Sequence, residues 1–248
     1  MKPLMRKKSS GFTLIELIVV IVILGVLASA ISTFIKFGTQ IYTETTARDQ
    51  LVSSARFAIE RLNREVRNAL PNSLIVTGQC LKFTPIIEST IYTDIPVAPE
   101  TASNIIKVIK FDEAFNGEWS AVVYPLSSDD VYGSNDKVHA VSNSIDTTGD
   151  EWTITLDNTV LFADDSPTQR LYFINGTVEY CLQSDQLLRT DSVNSDVLMA
   201  QNISSTSSSF DVQEATLQRN AMIQIDFQFE RNNEQVTFNN EVQVLNVP

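Results

Sequence analysis

The sequence predicts an α+β protein: a long N-terminal α-helix, membrane-spanning in its first half, packed on an antiparallel β-sheet head. Three observations predict it. No proline falls between Phe12 and Leu70, so nothing interrupts a helix there. Within that stretch the residues pass from uniformly apolar to a single apolar stripe at helical spacing. Beyond Pro71 a period of two and turn-forming clusters take over.

The first element is short and basic. Residues 1–11 hold Lys2, Arg6, Lys7 and Lys8 and no acid, whereas the remainder carries 14 basic and 30 acidic groups, a net charge of −16. So acidic a body lacks the positive face that phosphate binding needs, which argues against nucleic acid as a partner.

From Leu17 to Ile35 there are nineteen residues without a charge, about enough to cross a hydrocarbon core of ~30 Å as a helix. Positive charge precedes them, so the N-terminus stays cytoplasmic and the rest is exported. One acid breaks the pattern: Glu16, where a carboxylate in hydrocarbon costs at least about 2–3 kcal/mol. Three readings compete: a plain membrane anchor, a signal peptide cut after Ala28-Ser29-Ala30, and a short basic leader ending at Gly11.

The pattern after Ala30 discriminates among them. Leu51, Ala55, Ala58, Leu62, Val66 and Ala69 recur at spacings of three and four, which predicts that the helix continues amphipathically over 37–70. The other face carries Arg56, Glu60, Arg61, Arg64, Glu65 and Arg67, in part as opposite-charge neighbours. Pro71 ends the helix. A helix from Phe12 to Leu70 is about 88 Å long at 1.5 Å per residue. A cleaved signal peptide has no reason to continue in this way.

The head, residues 71–248, reads mostly as strand. Ala221, Ile223, Ile225, Phe227 and Phe229 alternate with polar residues, the mark of a half-buried strand. Arg231-Asn232-Asn233 turns it into a partner presenting Val236, Phe238, Val242 and Val244, with Asn240 as the exception on that face. "LYFINGTVEYCL" (171–182) has two β-rich runs around Asn175-Gly176 and predicts a hairpin. Loops rich in Ser, Asn and Asp over 127–136, 142–150 and 201–209 read as solvated connections.

Cys80 and Cys181 are the only cysteines. On the exported side they predict a disulfide closing a loop of about a hundred residues, worth up to ~4.7 kcal/mol in the chain-entropy model; two free buried thiols are the alternative. Catalytic chemistry has little to stand on, and the reading is that the chain is not an enzyme. The single histidine, His139, has no motif around it and reads as exposed and structural. Asp129, Asp130, Asn135 and Asp136 could offer oxygen ligands to calcium, but their spacing is not that of an EF-hand, and a solvated turn fits better. No cofactor or metal is expected.

"GFTLIELIVVIVILGVLA" (11–28) resembles the type IV pilin N-terminal signature, with glycine at the cut, phenylalanine next and glutamate five residues into the mature chain. The resemblance implies that 1–11 is a leader removed after Gly11 by a prepilin peptidase, with N-methylation of Phe12. Residues 12–36 then form the transmembrane half of the helix. Cleavage leaves an ammonium on Phe12 one helical turn from Glu16, and in a bundle of such helices Glu16 of an entering subunit could pair with the Phe12 ammonium of the one before it. Neither charge is then alone in lipid, so Glu16 reads as an assembly latch. Its alternative is an acid lying at the cytoplasmic interface.

"ERLNREVRNALPNSLIV" (60–76), "GQCLKF" (78–83) and "YTDIPVAPE" (92–100) are similar to O-type minor pilins of the mannose-sensitive haemagglutinin pilus system and, more distantly, to W-type minor pilins and J-type pseudopilins. That likeness implies a single-pass protein of the bacterial inner membrane with its head in the periplasm or in an extracellular pilus. It implies a role in priming or tip assembly, with other major and minor pilins, the prepilin peptidase and the inner-membrane assembly platform as partners. Major pilins usually place their disulfide round a C-terminal loop, and the position of Cys80 and Cys181 departs from that. Two alternatives remain: a type II secretion pseudopilin, and a soluble secreted binding protein or adhesin cut after Ala30.

Overall fold

The computed structural model describes residues 11–111, 118–133, 137–215, 220–232 and 234–244. The leader residues 1–10, Asn135 and Asp136 of the acidic loop, and Asn233 of the 231–233 turn lie outside the described residues. In chain order the elements are α1 (Leu14–Arg67), β1 (Ile75–Thr77), β2 (Cys80–Phe83), β3 (Ile86–Asp94), β4 (Ser103–Ile109), β5 (Ser120–Val123) and α2 (Asp129–Tyr132). Then come β6 (Val138–Asp146), β7 (Glu151–Val160), β8 (Arg170–Ile174), β9 (Val178–Gln183), β10 (Gln186–Thr190), β11 (Val197–Gln201), β12 (Ser209–Gln213), β13 (Ala221–Arg231) and β14 (Glu234–Val244). This is the expected α+β order: one long helix, then a β-rich head. The chain divides into two compact units, residues 1–49 and 50–248.

In the first unit the helix is exposed on all sides through its apolar run, from Leu14 to Phe37 and on to Ile41 and Tyr42. A helix that is apolar all round is stable only inside a protein core or a membrane. It is long and apolar enough to cross a membrane.

In the second unit the strands form three antiparallel assemblies. A five-stranded sheet runs β1-β2-β9-β10-β11, a three-stranded sheet β12-β13-β14, and a closed six-stranded barrel β3-β4-β7-β6-β5-β8. Leu51, Ala55, Ala58, Leu62, Val66 and Ala69 of the helical segment share one core with Leu81, Phe83, Tyr180 and Leu187 of the larger sheet. The same core takes in Ile223, Ile225, Phe227 and Phe229 of β13. The stripe of three- and four-residue spacings is thus the buried face. Strand β13 alternates buried and half-buried positions from Ala221 to Phe229, as its period of two predicts.

The barrel is an insertion, leaving the larger sheet after β2 and returning at β9. It has its own core, in which Phe111 meets Trp152 at 4.8 Å and Phe173 at 5.4 Å between ring centroids, and Trp119 meets Phe173 at 5.2 Å. Strand β8 is buried on both faces. Leu171 and Phe173 point into the barrel, while Tyr172 and Ile174 join Leu70 and Val122 in a smaller core.

Two expectations need correcting here. The runs flanking Asn175-Gly176 do not form a hairpin. β8 pairs with β3 and β5, and β9 with β2 and β10, so neither has an edge free for the other. Gly176 is still required, at φ +73° and where an added Cβ would come within 3.1 Å of Ser192 Cβ. Asn175-Gly176 marks the passage from barrel to sheet. The helix also stops at Arg67, before Pro71. There the chain peels off to pair with the β2–β3 connection and the start of β3: Ile86 N–H donates to Asn68 O at 2.9 Å and Leu70 N–H to Thr84 O at 2.8 Å.

Candidate functional site

The candidate site is the start of α1, in the first unit. Gly11, Phe12 and Thr13 precede the first helical turn, and Phe12 is 72 % exposed. A Cβ added at Gly11 would meet nothing within 4 Å. The fold therefore makes no steric demand for glycine here.

Thr13 is the helix N-cap, and its Oγ1 accepts the backbone N–H of Glu16 at 3.4 Å. Leu17 N–H donates to Thr13 O at 3.2 Å, the first helical bond. Thr13-Leu14-Ile15-Glu16 has the Ser/Thr-x-x-Glu spacing of a capping box. Glu16 thus stands in the first turn, exposed, at the positive end of the helix dipole, where an acid is favoured by about 0.3–1 kcal/mol. Reading Glu16 as a latch or as an interfacial acid leaves out this local role, although Thr13 three residues earlier signals it. Gly11, Phe12 and Glu16 fall within six consecutive residues of the chain.

The disulfide residues lie in the second unit. Cys80 and Cys181 are directly opposite on β2 and β9 and are bonded, S–S 2.05 Å across a sequence separation of 101. Glu179 lies close by. With both sulfurs committed to each other, neither is a thiolate ligand for a metal.

The other charged positions behave differently from the sequence reading. Glu65, read as part of the charged face, is turned inward. Its Oε2 accepts from the Tyr180 hydroxyl at 2.9 Å and Arg189 Nε at 3.0 Å, and its Oε1 from Arg61 Nε at 2.9 Å. Arg189 also pairs with Asp191. Burial, and then the Glu65 carboxylate, push the Tyr180 hydroxyl well above its usual range, so it stays a donor. The Arg189 guanidinium, followed by the backbone N–H groups of Asn194 and Val193, holds the Asp191 carboxyl well below the usual range.

Asp130 is not a solvated turn residue. It is buried, and its Oδ2 accepts the N–H groups of Leu126 at 2.7 Å and Ser127 at 3.1 Å, with Lys137 Nζ at 3.5 Å. That carboxylate staples the loop before α2, which leaves it poorly placed to hold calcium. His139 is half-buried in β6 rather than exposed, edge-on to Phe162 at 5.1 Å.

Residues 6–32 match the family described as Prokaryotic N-terminal methylation motif. No curated protein and no solved structure matches the chain. The matched span encloses Gly11, Phe12, Thr13 and Glu16, and it covers the greater part of the apolar run. A motif of this kind points to a structural protein that interacts with pilins and a prepilin peptidase, and the long apolar helix behind it fits a membrane-anchored chain. The chain carries a prepilin-type signal, and that signal supports a protein of the type IV pilin or pseudopilin type.

Proposed function

We propose that the chain is a minor pilin that primes or caps assembly of a pilus of the mannose-sensitive haemagglutinin type. The leader ends at Gly11, a prepilin peptidase cuts before Phe12 and Phe12 is N-methylated. The mature chain sits in the bacterial inner membrane by its N-terminal helix with its head in the periplasm. Glu16 pairs with the Phe12 ammonium of a neighbouring subunit.

The observation that carries the reading is the position of Glu16: a single acid on the first turn of a helix whose exposed apolar half holds no other charge before Lys36, just past Gly11-Phe12 and inside the methylation motif. Capping explains why an acid is tolerated there, and a neighbour's ammonium explains why one is useful in lipid. The alternative of a soluble protein released after Ala30 fits poorly. Ala28–Ala30 is mid-helix, and a chain starting at Ile31 would keep Ile31, Phe34, Ile35, Phe37, Ile41 and Tyr42 uncovered in water.

Intact-mass analysis of chain extracted from membranes tests the reading. A methylated chain beginning at Phe12 is expected, and a soluble chain beginning at Ile31 would exclude it. Recovery in sheared pili, rather than a secretion defect on deletion, separates it from a type II secretion pseudopilin.

A further inference from the structure

The helical segment of the second unit has a second stripe, opposite the buried one. Ser53, Phe57, Glu60, Arg64 and Arg67 recur at spacings of four and three and are all exposed, with Arg56 beside Phe57. Phe57 is 58 % exposed. Among the described residues, Arg56, Arg64 and Arg67 make no ion pair, whereas Arg61 on the flank is paired with Glu65. Placement near the helix C-terminus accounts for Arg64 and Arg67. It does not account for Arg56, nor for an uncovered aromatic ring. Arginine and aromatic side chains together are the composition of interface anchors.

A complementary surface lies on the outside of the barrel. Ile105, Lys107 and Ile109 face outward from β4, and Ile87 and Ile91 from β3. The isoleucines are 37–47 % exposed. Tyr92 pairs with Val108, which sets Ile91 beside Ile109, and Ile109 pairs with Glu151 of β7. Lys107 is neutralised by Asp94 at 3.3 Å. The β6–β7 turn adds Asp146 and Asp150, both exposed. The result is an apolar strip whose border carries Asp146, Asp150 and Glu151 beside one further exposed cation, Lys110, and is acidic on balance, on a head whose residues 71–248 hold 8 basic and 25 acidic groups.

We infer that the Phe57 stripe of one subunit docks on the isoleucine strip of a second copy. Phe57 covers the isoleucines, and Arg56 and Arg64 meet Asp150 and Glu151. The two surfaces are different patches of the same chain, so the contact is head-to-tail and can repeat, as a filament or its priming complex requires. Charge complementarity selects this occupant: the basic stripe is repelled by its own kind and attracted by the acidic barrel face. The inference rests on the chain being an assembling subunit.

The test uses the full-length processed chain in detergent micelles, with the photo-crosslinker p-benzoylphenylalanine in place of Phe57. Unlabelled chain is mixed with isotope-labelled chain so that crosslinks between copies are recognised by mass. Crosslinks between copies are expected on peptides spanning residues 87–109 or 146–151. R56E/R64E should cut their yield roughly tenfold or more, and adding D150K/E151K should restore it. Crosslinks confined to one chain or to another face, or a charge swap that fails to restore yield, would overturn the inference. A chain that crosslinks as expected but is absent from sheared filaments keeps this contact and removes the assembly reading. A chain present in filaments without these crosslinks removes the contact alone.

Discussion

Asn240 of β14 reaches Asn63 of α1, its Nδ2 donating to Asn63 Oδ1 at 2.6 Å. The one polar residue between Val236 and Val244 on that strand face thus has its partner on the helix that the face covers. The contact fixes where β14 sits along the helical segment, which apolar packing alone leaves free to slide.

Replacing Asn240 with Leu removes the donor and leaves the half-buried Asn63 carbonyl facing apolar surface. The expected cost is about 1 kcal/mol, at the low end for a stranded acceptor because Asn63 keeps some access to water. N63L/N240L, which removes both partners, should recover most of it. Denaturant unfolding of the full chain in detergent, read as a double-mutant cycle, measures the coupling.

Because Cys80 and Cys181 are bonded across β2 and β9, the folded chain should resist thiol alkylation until reduced. Cys80→Ser or Cys181→Ser should lower stability by about 2–4 kcal/mol, less than the full loop-closure value because the unbridged unfolded chain is more compact than a random coil. Full labelling of both thiols in unreduced, folded protein would contradict the bridge.

Tyr132 supplies a pH dependence. Its hydroxyl donates to Ser73 O at 2.8 Å and lies 3.0 Å from Thr84 Oγ1. Burial pushes its pKa up from 10.0 to about 12. A folded value above the unfolded one means that the contribution is fully present below pH 10. It is lost as pH rises to about 12, and amounts to roughly 2 kcal/mol. Tyr132→Phe should therefore flatten the fall in stability between those pH values while lowering stability below them. An unchanged slope would show that Tyr132 does not titrate with unfolding.

The parts of the fold legible in the sequence are those with one buried face and an unbroken period. The helix and β13 with β14 are such elements, because each meets a single core. The barrel was not legible. Its strands carry isoleucines on both faces, as at Ile86-Ile87 and Ile105-Ile106, and register shifts in β3, β4 and β6 break the alternation. Asn175-Gly176 was legible as a backbone turn, but local chemistry does not say which strands its neighbours pair with. Glu65 was hidden for a related reason: its partners Tyr180 and Arg189 lie 115 and 124 residues away, and only the fold brings them together. At the candidate site the motif around Gly11, Phe12 and Glu16 was legible, and the Thr13 cap lies in the same stretch and shows in the helix geometry.

The central claim is that Glu16 joins subunits, and the most direct measurement is the recovery of Glu16→Ala in sheared pili at matched protein level, alongside Thr13→Val. Thr13→Val removes the cap and keeps the acid, so it reports the local helical role by itself. Glu16→Ala leaves the cut site and apolar run intact and should be processed and anchored normally. A neighbour's ammonium is then left unpaired in the bundle, so its recovery and its crosslinking to other pilins should fall at least roughly tenfold, with Thr13→Val much less affected and Glu16→Asp in between. Recovery of Glu16→Ala equal to that of the unaltered chain would contradict the account, and a loss matched by Thr13→Val would assign Glu16 to capping its own helix.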